Sequence, residues 1–194
     1  MRYTGFMPQF LGYFRDWLET FELRDGTRLQ LRPIRPSDKA LLQTGMRKLS
    51  KDSLRQRFLG ARSSLSVDEL RYLTEVDREN HWAICAVLEN APTVGVATAR
   101  FIRLAEGGDE AEIAITVIDE YQRRGIGKRL FRHLVAAATE RGIRRFRVIA
   151  AHDNVAMRKL AASLTDIHSQ TSELGVMTLI ASPARARAPL TSSV

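Results

Sequence analysis

Residues 113–132 read IAITVIDEYQRRGIGKRLFR, and this stretch decides the fold. An apolar strand pattern over 113–117 is followed by a turn, and a helical pattern begins at Gly125 and Gly127. Glycine has no Cβ, so the backbone there turns tightly and lets an anion approach. The first N–H groups of a helix lack intrahelical partners, and the helix dipole adds partial positive charge. The stretch therefore predicts a pyrophosphate-binding helix start. Three side chains add full positive charge to it: Arg123, Arg124 and Lys128.

Two common nucleotide-binding motifs do not fit these glycines. The dinucleotide fingerprint needs a third glycine where this chain has Leu130. A nucleotide P-loop needs Ser or Thr after its Gly-Lys pair, but Arg129 follows Lys128. Both interpretations are excluded.

The composition outside this stretch is that of one globular domain. The chain has 194 residues, of which 44% are hydrophobic and 27% charged. The apolar runs are too short to span a membrane, and the N-terminus lacks the pattern of a signal peptide. A single cysteine, Cys85, excludes a disulfide within the chain and favours a reducing cytoplasm. The net charge of +8 is compatible with nucleic acid, an anionic lipid surface or an anionic cofactor.

The pattern before the central stretch predicts an N-terminal segment, a strand, two helices and a loop. Residues 1–26 form an N-terminal amphipathic helix (9–21) and lead-in, with aromatic residues at helical spacing. A strand over 28–34 precedes a helix that Ser37 caps and that runs to about Leu49. A capping box at Ser66 opens a short helix. Residues 50–64 between these helices are interpreted as a loop that shapes the acceptor site.

The remaining pattern predicts a mixed α/β domain over 27–181, with a mostly antiparallel sheet flanked by helices. Residues 182–194 are predicted to be a disordered tail. The predicted strands cover 82–88, 94–104, 111–117, 146–150, 166–170 and 176–180, and the predicted helices cover 126–141 and 154–164.

The six residues 122–127, QRRGIG, resemble the acyl-CoA signature of the GNAT acyltransferase superfamily: Gln or Arg, two residues, Gly, one residue, Gly or Ala. The resemblance extends over about 29–164, because a strand precedes the signature and a helix, a strand and Asn154 follow it. Within that superfamily, 28–38 and 65–70 resemble the bacterial protein-lysine acetyltransferases that modify acyl-CoA synthetases.

This resemblance implies acetyl-CoA as co-substrate, no metal, and a set of cofactor-binding residues. The helix start would hold the pyrophosphate, the strand before it would pair with the pantetheine arm, and an N–H near Val117 would polarise the thioester. The implied residues are Ile115, Thr116, Val117, Gln122, Arg123, Arg124, Gly125, Ile126, Gly127, Lys128 and Asn154. Two family features are missing, since Ala161 stands where a Tyr often acts as acid, and Thr165-Asp166 replaces a Gly-Phe pair.

Glu112 is the candidate general base, acting through water, because an amine of pKa about 10.4 must lose a proton before it attacks. The alternative is an ion pair of Glu112 with Arg100 or Arg103. The other polar candidates have structural interpretations. His81 is interpreted as a strand-start or surface residue rather than part of the acceptor cleft, and Cys85 as core. Asp119 and Glu120 are interpreted as a solvated turn or as a complement to the helix dipole.

Three functions remain open at this point. The first is a cytoplasmic acetyltransferase acting on a protein lysine, with an acyl-CoA synthetase as the model substrate, or on a small amine. The second is a basic nucleic-acid-binding module, disfavoured because interleaved stacking aromatics are missing. The third is an acyl-CoA sensor without turnover. We expect no membrane partner, and the N-terminal helix makes a homodimer plausible.

Overall fold

The computed structural model describes residues 17–60, 62 and 64–184. Its core is an eight-stranded sheet in the order β1-β2-β3-β4-β5-β6-β8-β7. All neighbouring strands are antiparallel except β5 and β6, which are parallel. The predicted fold class, a mostly antiparallel sheet flanked by helices, is confirmed. The strands are β1 (Glu19–Glu22), β2 (Arg28–Pro33), β3 (His81–Leu88), β4 (Ala91–Arg103), β5 (Glu110–Val117), β6 (Arg145–Ala151), β7 (Thr165–Glu173) and β8 (Val176–Pro183).

Five α-helices accompany these strands in the described residues, and none of them is long and apolar enough to cross a membrane. They are α1 (Lys39–Arg47), α2 (Lys51–Phe58), α3 (Val67–Thr74), α4 (Ile126–Glu140) and α5 (Val155–Leu164).

Helix α4 connects the two parallel strands, as a crossover between parallel neighbours requires. Its inward face is fully buried and packs on one side of the sheet, together with α5. The buried side chains of that face include Ile126, Leu130, Phe131, Leu134, Ala137 and Ala138.

A second, smaller core lies on the opposite side of the sheet. There α1 contributes Leu41 and Leu42, which pack on Ala83 and Cys85 of β3. Partly buried residues of α3 complete this cluster. The sheet therefore carries α4 and α5 on one face and α1 and α3 on the other.

Strands β5 and β6 separate halfway along their length. Their pairing ends at Ile113 and Val148, whereas β5 stays paired with β4 as far as Val117. The last residues of β5 therefore present one backbone edge to a gap inside the sheet.

Three predicted boundaries are wrong where the structure describes them. The predicted helix over 9–21 lies mostly outside the described residues, but Glu19–Glu22 is strand β1, paired with β2. Trp17 and Phe21 are four residues apart, a spacing that both a helix and an alternating strand place on one face. Ser37 is not a cap, because it lies inside the short 3₁₀ turn Pro36–Asp38. The predicted tail begins too early, because β8 extends to Pro183; residues 185–194 lie outside the described part.

The predicted loop over 50–64 is also wrong in its first half, where α2 forms. The hydroxyl of Ser50 caps α2 by accepting from the backbone N–H of Ser53. The predicted capping box at Ser66 is confirmed, since its hydroxyl accepts from the Glu69 N–H and the Glu69 carboxylate accepts from the Ser66 N–H.

Candidate functional site

A groove of about 340 Å³ opens where β5 and β6 separate. Its walls are α2, the turn before α4, the first turn of α4, and α5. The residues predicted to bind a cofactor that line it are Ile115, Thr116, Val117, Gln122, Arg123, Gly125, Gly127, Lys128 and Asn154.

The start of α4 has the backbone geometry of an anion-binding turn. Gly125 precedes the helix with φ of +85°, in the left-handed region that glycine adopts without penalty. Arg123 also has a positive φ, +59°, which costs a residue with a Cβ roughly 1–2 kcal/mol. In the described part of the chain no side chain caps α4, so its first N–H groups stay available to a ligand.

Gly127 is open toward the groove. A Cβ at this position would lie 3.7 Å from Leu160 Cδ2 and 3.8 Å from Val117 Cγ2, which are ordinary contact distances to two groove-lining residues. The fold itself therefore does not require glycine at position 127.

The exposed edge of β5 points into the same groove. The N–H of Ile118 donates to Val96 O on β4, so the alternation of an antiparallel pair turns the N–H and C=O of Val117 away from β4. Ile115, two residues earlier, has the same orientation. Because β6 has already diverged, these groups face the groove. They form the kind of edge to which an amide-bearing arm can pair.

Gln122, the first residue of the signature, ties the groove walls together. Its Nε2 donates to the backbone oxygen of Val117 at 3.1 Å and to the hydroxyl of Ser53 at 3.2 Å. The side chain thus connects β5 to α2 and leaves the Val117 N–H free to face the groove.

Two of the predicted cofactor residues are not part of the groove lining. The guanidinium of Arg124 pairs with Asp25 and lies over the ring of Tyr121. Ile126 is 1% exposed and its side chain packs in the main core, because it begins the buried face of α4. The side chains of Arg124 and Ile126 therefore do not line the groove. The prediction that backbone N–H groups of residues 123–128 hold the pyrophosphate does not depend on these side chains.

Asn154 caps α5 at the far wall of the groove. Its Oδ1 accepts from the backbone N–H of Met157 at 2.9 Å. This leaves its side-chain NH₂ group as the donor available on the groove side.

Sequence reasoning missed the contribution of α2, which supplies Ser53, Gln56 and Arg57 to the groove. The Nε of Arg57 donates to Thr116 Oγ1 at 3.0 Å. Only Leu54 and Phe58 mark an apolar face on α2, so its periodicity is too short to distinguish a helix from a loop. The available signal was the cap at Ser50 followed by eight residues without Gly or Pro.

Asp119 holds α2 against the turn before α4. Its carboxylate accepts from the N–H of Ser50 at 2.9 Å, from the hydroxyl of Ser50 at 2.7 Å and from the hydroxyl of Ser53 at 2.9 Å. Partial burial alone would raise the pKa of Asp119, but these hydrogen bonds outweigh it and lower the pKa. The solvated-turn interpretation is thus incomplete for Asp119, whereas Glu120 is exposed.

Glu112 lies on the same face of β5 as Ala114 and Thr116, but it is not part of the groove lining. In the described residues it makes no ion pair. Arg100 instead bonds Leu73 O, and Arg103 bonds Arg141 O. The alternative ion pair is therefore not formed, and the half-buried carboxylate stays free for another partner.

His81 and Cys85 both lie in strand β3. His81 is its first residue and is buried, with Nε2 3.1 Å from Nη1 of Arg100. Burial, and then the charge of Arg100, lower the pKa of His81 to about 4, so the ring is neutral at pH 7. Burial raises the pKa of Cys85 to about 12, which agrees with its assignment to the core.

Comparison with known proteins agrees with this geometry. The family model "Acetyltransferase (GNAT) family" matches residues 46–164, which is more than half of the chain. Acetyltransferase Pat of Mycolicibacterium smegmatis is 35% identical over 156 residues, covering 80% of this chain and 46% of Pat. Acetyltransferase PA5475 of Pseudomonas aeruginosa is 30% identical, covering 76% of this chain and 78% of the relative. The crystal structure of the GNAT domain of S. lividans PAT superposes with a TM-score of 0.75 at 31% identity, covering 84% of this chain and 96% of that domain.

The fold is a sheet that is split between β5 and β6, and the chain belongs to the GNAT acetyltransferase family. The predicted enzyme class is confirmed at that level. The chain spans about half the length of Pat, the first of these relatives. In the described residues, no group of three or more His, Cys, Asp or Glu side chains is placed to hold a metal ion.

Proposed function

We propose that this protein transfers the acetyl group of acetyl-CoA to a primary amine, with a protein lysine as the leading acceptor. The observation that carries the proposal is the groove itself, in which an uncapped helix start and an unpaired strand edge lie side by side. A pyrophosphate joined to an amide-bearing arm is complementary to this pair of backbone surfaces.

The backbone from Arg123 to Lys128 would hold the pyrophosphate, with the Arg123 and Lys128 side chains supplying charge. The freed edge at Ile115 and Val117 would pair with the pantetheine amides, and the Asn154 amide would donate to the same arm. The thioester would then lie near the point where β5 and β6 part, with a β5 N–H aimed at its carbonyl oxygen.

In the reaction, the amine nitrogen attacks the thioester carbonyl, the C–S bond breaks, and CoA leaves as a thiolate that takes up a proton. Positioning of amine and thioester supplies the largest share, roughly 7–11 kcal/mol. One N–H that polarises the carbonyl adds about 3 kcal/mol. Glu112 accepts the proton of the amine through a water molecule, which contributes about 10²- to 10⁴-fold.

No general acid is assigned on α5. Ala161 is buried in the core and has no proton to give. A thiol of free pKa about 8.5 leaves with modest help, so turnover does not require that acid.

The lysine acceptor rests on the resemblance of 28–38 and 65–70 to bacterial protein-lysine acetyltransferases. The cytoplasmic location rests on the single cysteine, Cys85, which favours a reducing compartment. A small-molecule amine is the alternative acceptor.

Calorimetric titration of the protein with acetyl-CoA, followed by thiol release in the presence of lysine peptides and small amines, tests the proposal. We expect saturable 1:1 binding and amine-dependent thiol release. Binding without thiol release from any amine would instead assign the protein as an acyl-CoA sensor. No response to acetyl-CoA would overturn both assignments.

A further inference from the structure

A second cavity, of about 70 Å³, lies beneath α1, α2 and α3. Its lining shares three residues with the groove, namely Leu49, Arg57 and Thr116. It lies on the face of the sheet that carries Glu112, because Thr116 and Glu112 alternate to the same side of β5. The two cavities therefore adjoin each other at Arg57, and the smaller one lies on the side of the sheet that carries the proposed base.

Two arginines contribute to the walls of this cavity. Arg57 reaches it from α2, and Arg100, which is 3% exposed, reaches it from β4. Their bonding partners are neutral: Arg57 donates to Thr116 Oγ1, and Arg100 donates to Leu73 O and faces the neutral His81 ring. In the part of the chain that the structure describes, no carboxylate lies within 4.0 Å of either guanidinium.

The charge of this region does not balance. Burial lowers the pKa of Arg100 to about 9, and the nearby charge of Arg57 adds to this effect. Burial also lowers the pKa of Arg57, and Glu112 is the carboxylate whose field opposes that shift. Glu112 acts on Arg57 but not on Arg100, and Arg62 adds a further positive charge near Arg57. Charges removed from water in this way are costly unless a counter-charge pairs with them.

An acceptor amine arrives mostly as an ammonium ion, which this excess positive charge repels. The repulsion disappears if the acceptor brings a carboxylate of its own to the arginines.

Resting on the proposed acetyl transfer, we propose that the Arg57–Arg100 pocket binds a carboxylate carried by the acceptor close to its reacting amine. Arg57 is the contact residue, because its Nη atoms have no hydrogen-bond partner among the described residues and it lies where the two cavities meet. The carboxylate belongs either to a free amino acid or to an acidic residue beside an acceptor lysine.

Matched acceptor pairs test this on the full chain with acetyl-CoA. One pair is a set of free amino acids and the corresponding amino acid amides. The other is a blocked tetrapeptide with Glu next to its single Lys and the same peptide with Gln. The readout is the ratio of kcat/KM for the carboxylate-bearing acceptor to kcat/KM for its amide counterpart, in each pair. Any effect of a substitution on acetyl-CoA binding cancels in that ratio.

We expect a ratio of at least tenfold in one pair, and the responding pair identifies the source of the carboxylate. Arg57→Gln should reduce that ratio to about one, and Arg57→Lys should retain part of it. Arg71→Gln, on an exposed arginine of α3 that pairs with Asp68, should leave it unchanged.

A ratio of one in both pairs, or a ratio that Arg57→Gln does not alter, would overturn the pocket assignment while leaving acetyl transfer intact. Thiol release from no acceptor at all would overturn the transfer proposal instead. In that case the CoA-bound protein is titrated with the N-acetylated acids and amides. If the acids bind more tightly than the amides, and Arg57→Gln abolishes this difference, the pocket assignment is supported. Equal binding of acids and amides overturns it.

Discussion

The carboxylate of Asp119 accepts hydrogen bonds from both the backbone N–H and the hydroxyl of Ser50, which lies 69 residues earlier in the chain. The same carboxylate also accepts from the Ser53 hydroxyl. A turn next to the glycines therefore fixes the start of α2, and with it one wall of the groove.

Replacing Asp119 with Ala should loosen that wall. We expect the free energy of unfolding to fall by about 1–2 kcal/mol, because three hydrogen bonds are lost at an exposed site. Acetyl-CoA affinity should fall as well, and Asp119→Asn should lie between wild type and Ala. Urea unfolding and calorimetry measure both quantities. Glu120→Ala, at the exposed neighbour, is the control, and an equal effect there would contradict the bridging role.

Gly127→Ala should separate ligand binding from folding. The methyl group meets only ordinary contacts within the protein, and alanine favours helix, so Tm should stay the same or rise. The methyl projects among groove-lining residues, and we expect acetyl-CoA affinity to fall at least tenfold. Gly125→Glu should lower both Tm and acetyl-CoA affinity. The fold is strained because φ at this position is +85°, and the glutamate charge repels the pyrophosphate. Gly60→Ala, with open space and outside the groove lining, should change neither. Undiminished affinity in Gly127→Ala would place the pyrophosphate elsewhere.

Glu112→Gln should lower kcat about 100-fold at pH 7 while acetyl-CoA binds as before. The deficit should shrink toward pH 10, where the amine loses its proton without help. Rate against pH for the acceptor lysine peptide measures this. Glu110→Gln is the matched control, because Glu110 faces the same side of β5 but is paired with Arg147 at 2.7 Å. Full activity of Glu112→Gln at pH 7 would remove Glu112 from the mechanism.

Protonation of His81 should make the fold acid-sensitive. Its pKa is about 4 in the folded protein and 6.5 in a model peptide, so between these values the unfolded state binds more protons. Stability should thus rise with pH across that window and level off above pH 6.5, with a slope of up to about 1.4 kcal/mol per pH unit from this group.

The His81→Gln variant keeps an acceptor for Arg100 but does not titrate. Its stability should therefore change less between pH 4 and 6.5 than that of wild type. The free energy of unfolding, measured in urea at several pH values, is the test. Identical pH profiles would show that other groups, such as the buried His133, account for the acid sensitivity.

The glycine-containing turn at the start of α4 was predictable from sequence because each part of it acts locally. Gly125 and Gly127 determine the backbone, and the run of basic residues follows within a few positions. Strands β3, β4 and β5 were equally visible, since their apolar runs are separated by clear turn residues.

The remaining walls of the groove depend on partners far away in sequence. Helix α2 is held by Asp119 and by an ion pair of Arg55 with Asp153, which no local pattern on α2 reveals. The burial of Arg100 follows from its register opposite Ala83 beneath α3, and the sequence shows it only as one basic residue in a strand.

The gap between β5 and β6 also gives the free protein a distinctive pattern of amide hydrogen exchange. The N–H groups of Ile115 and Val117 belong to a central strand, yet they face solvent instead of a neighbouring strand. In the free protein, these N–H groups should take up deuterium as fast as those of an edge strand. A ligand that pairs with them should slow this uptake sharply. Deuterium uptake at Ile115 and Val117 therefore shows whether the groove is occupied.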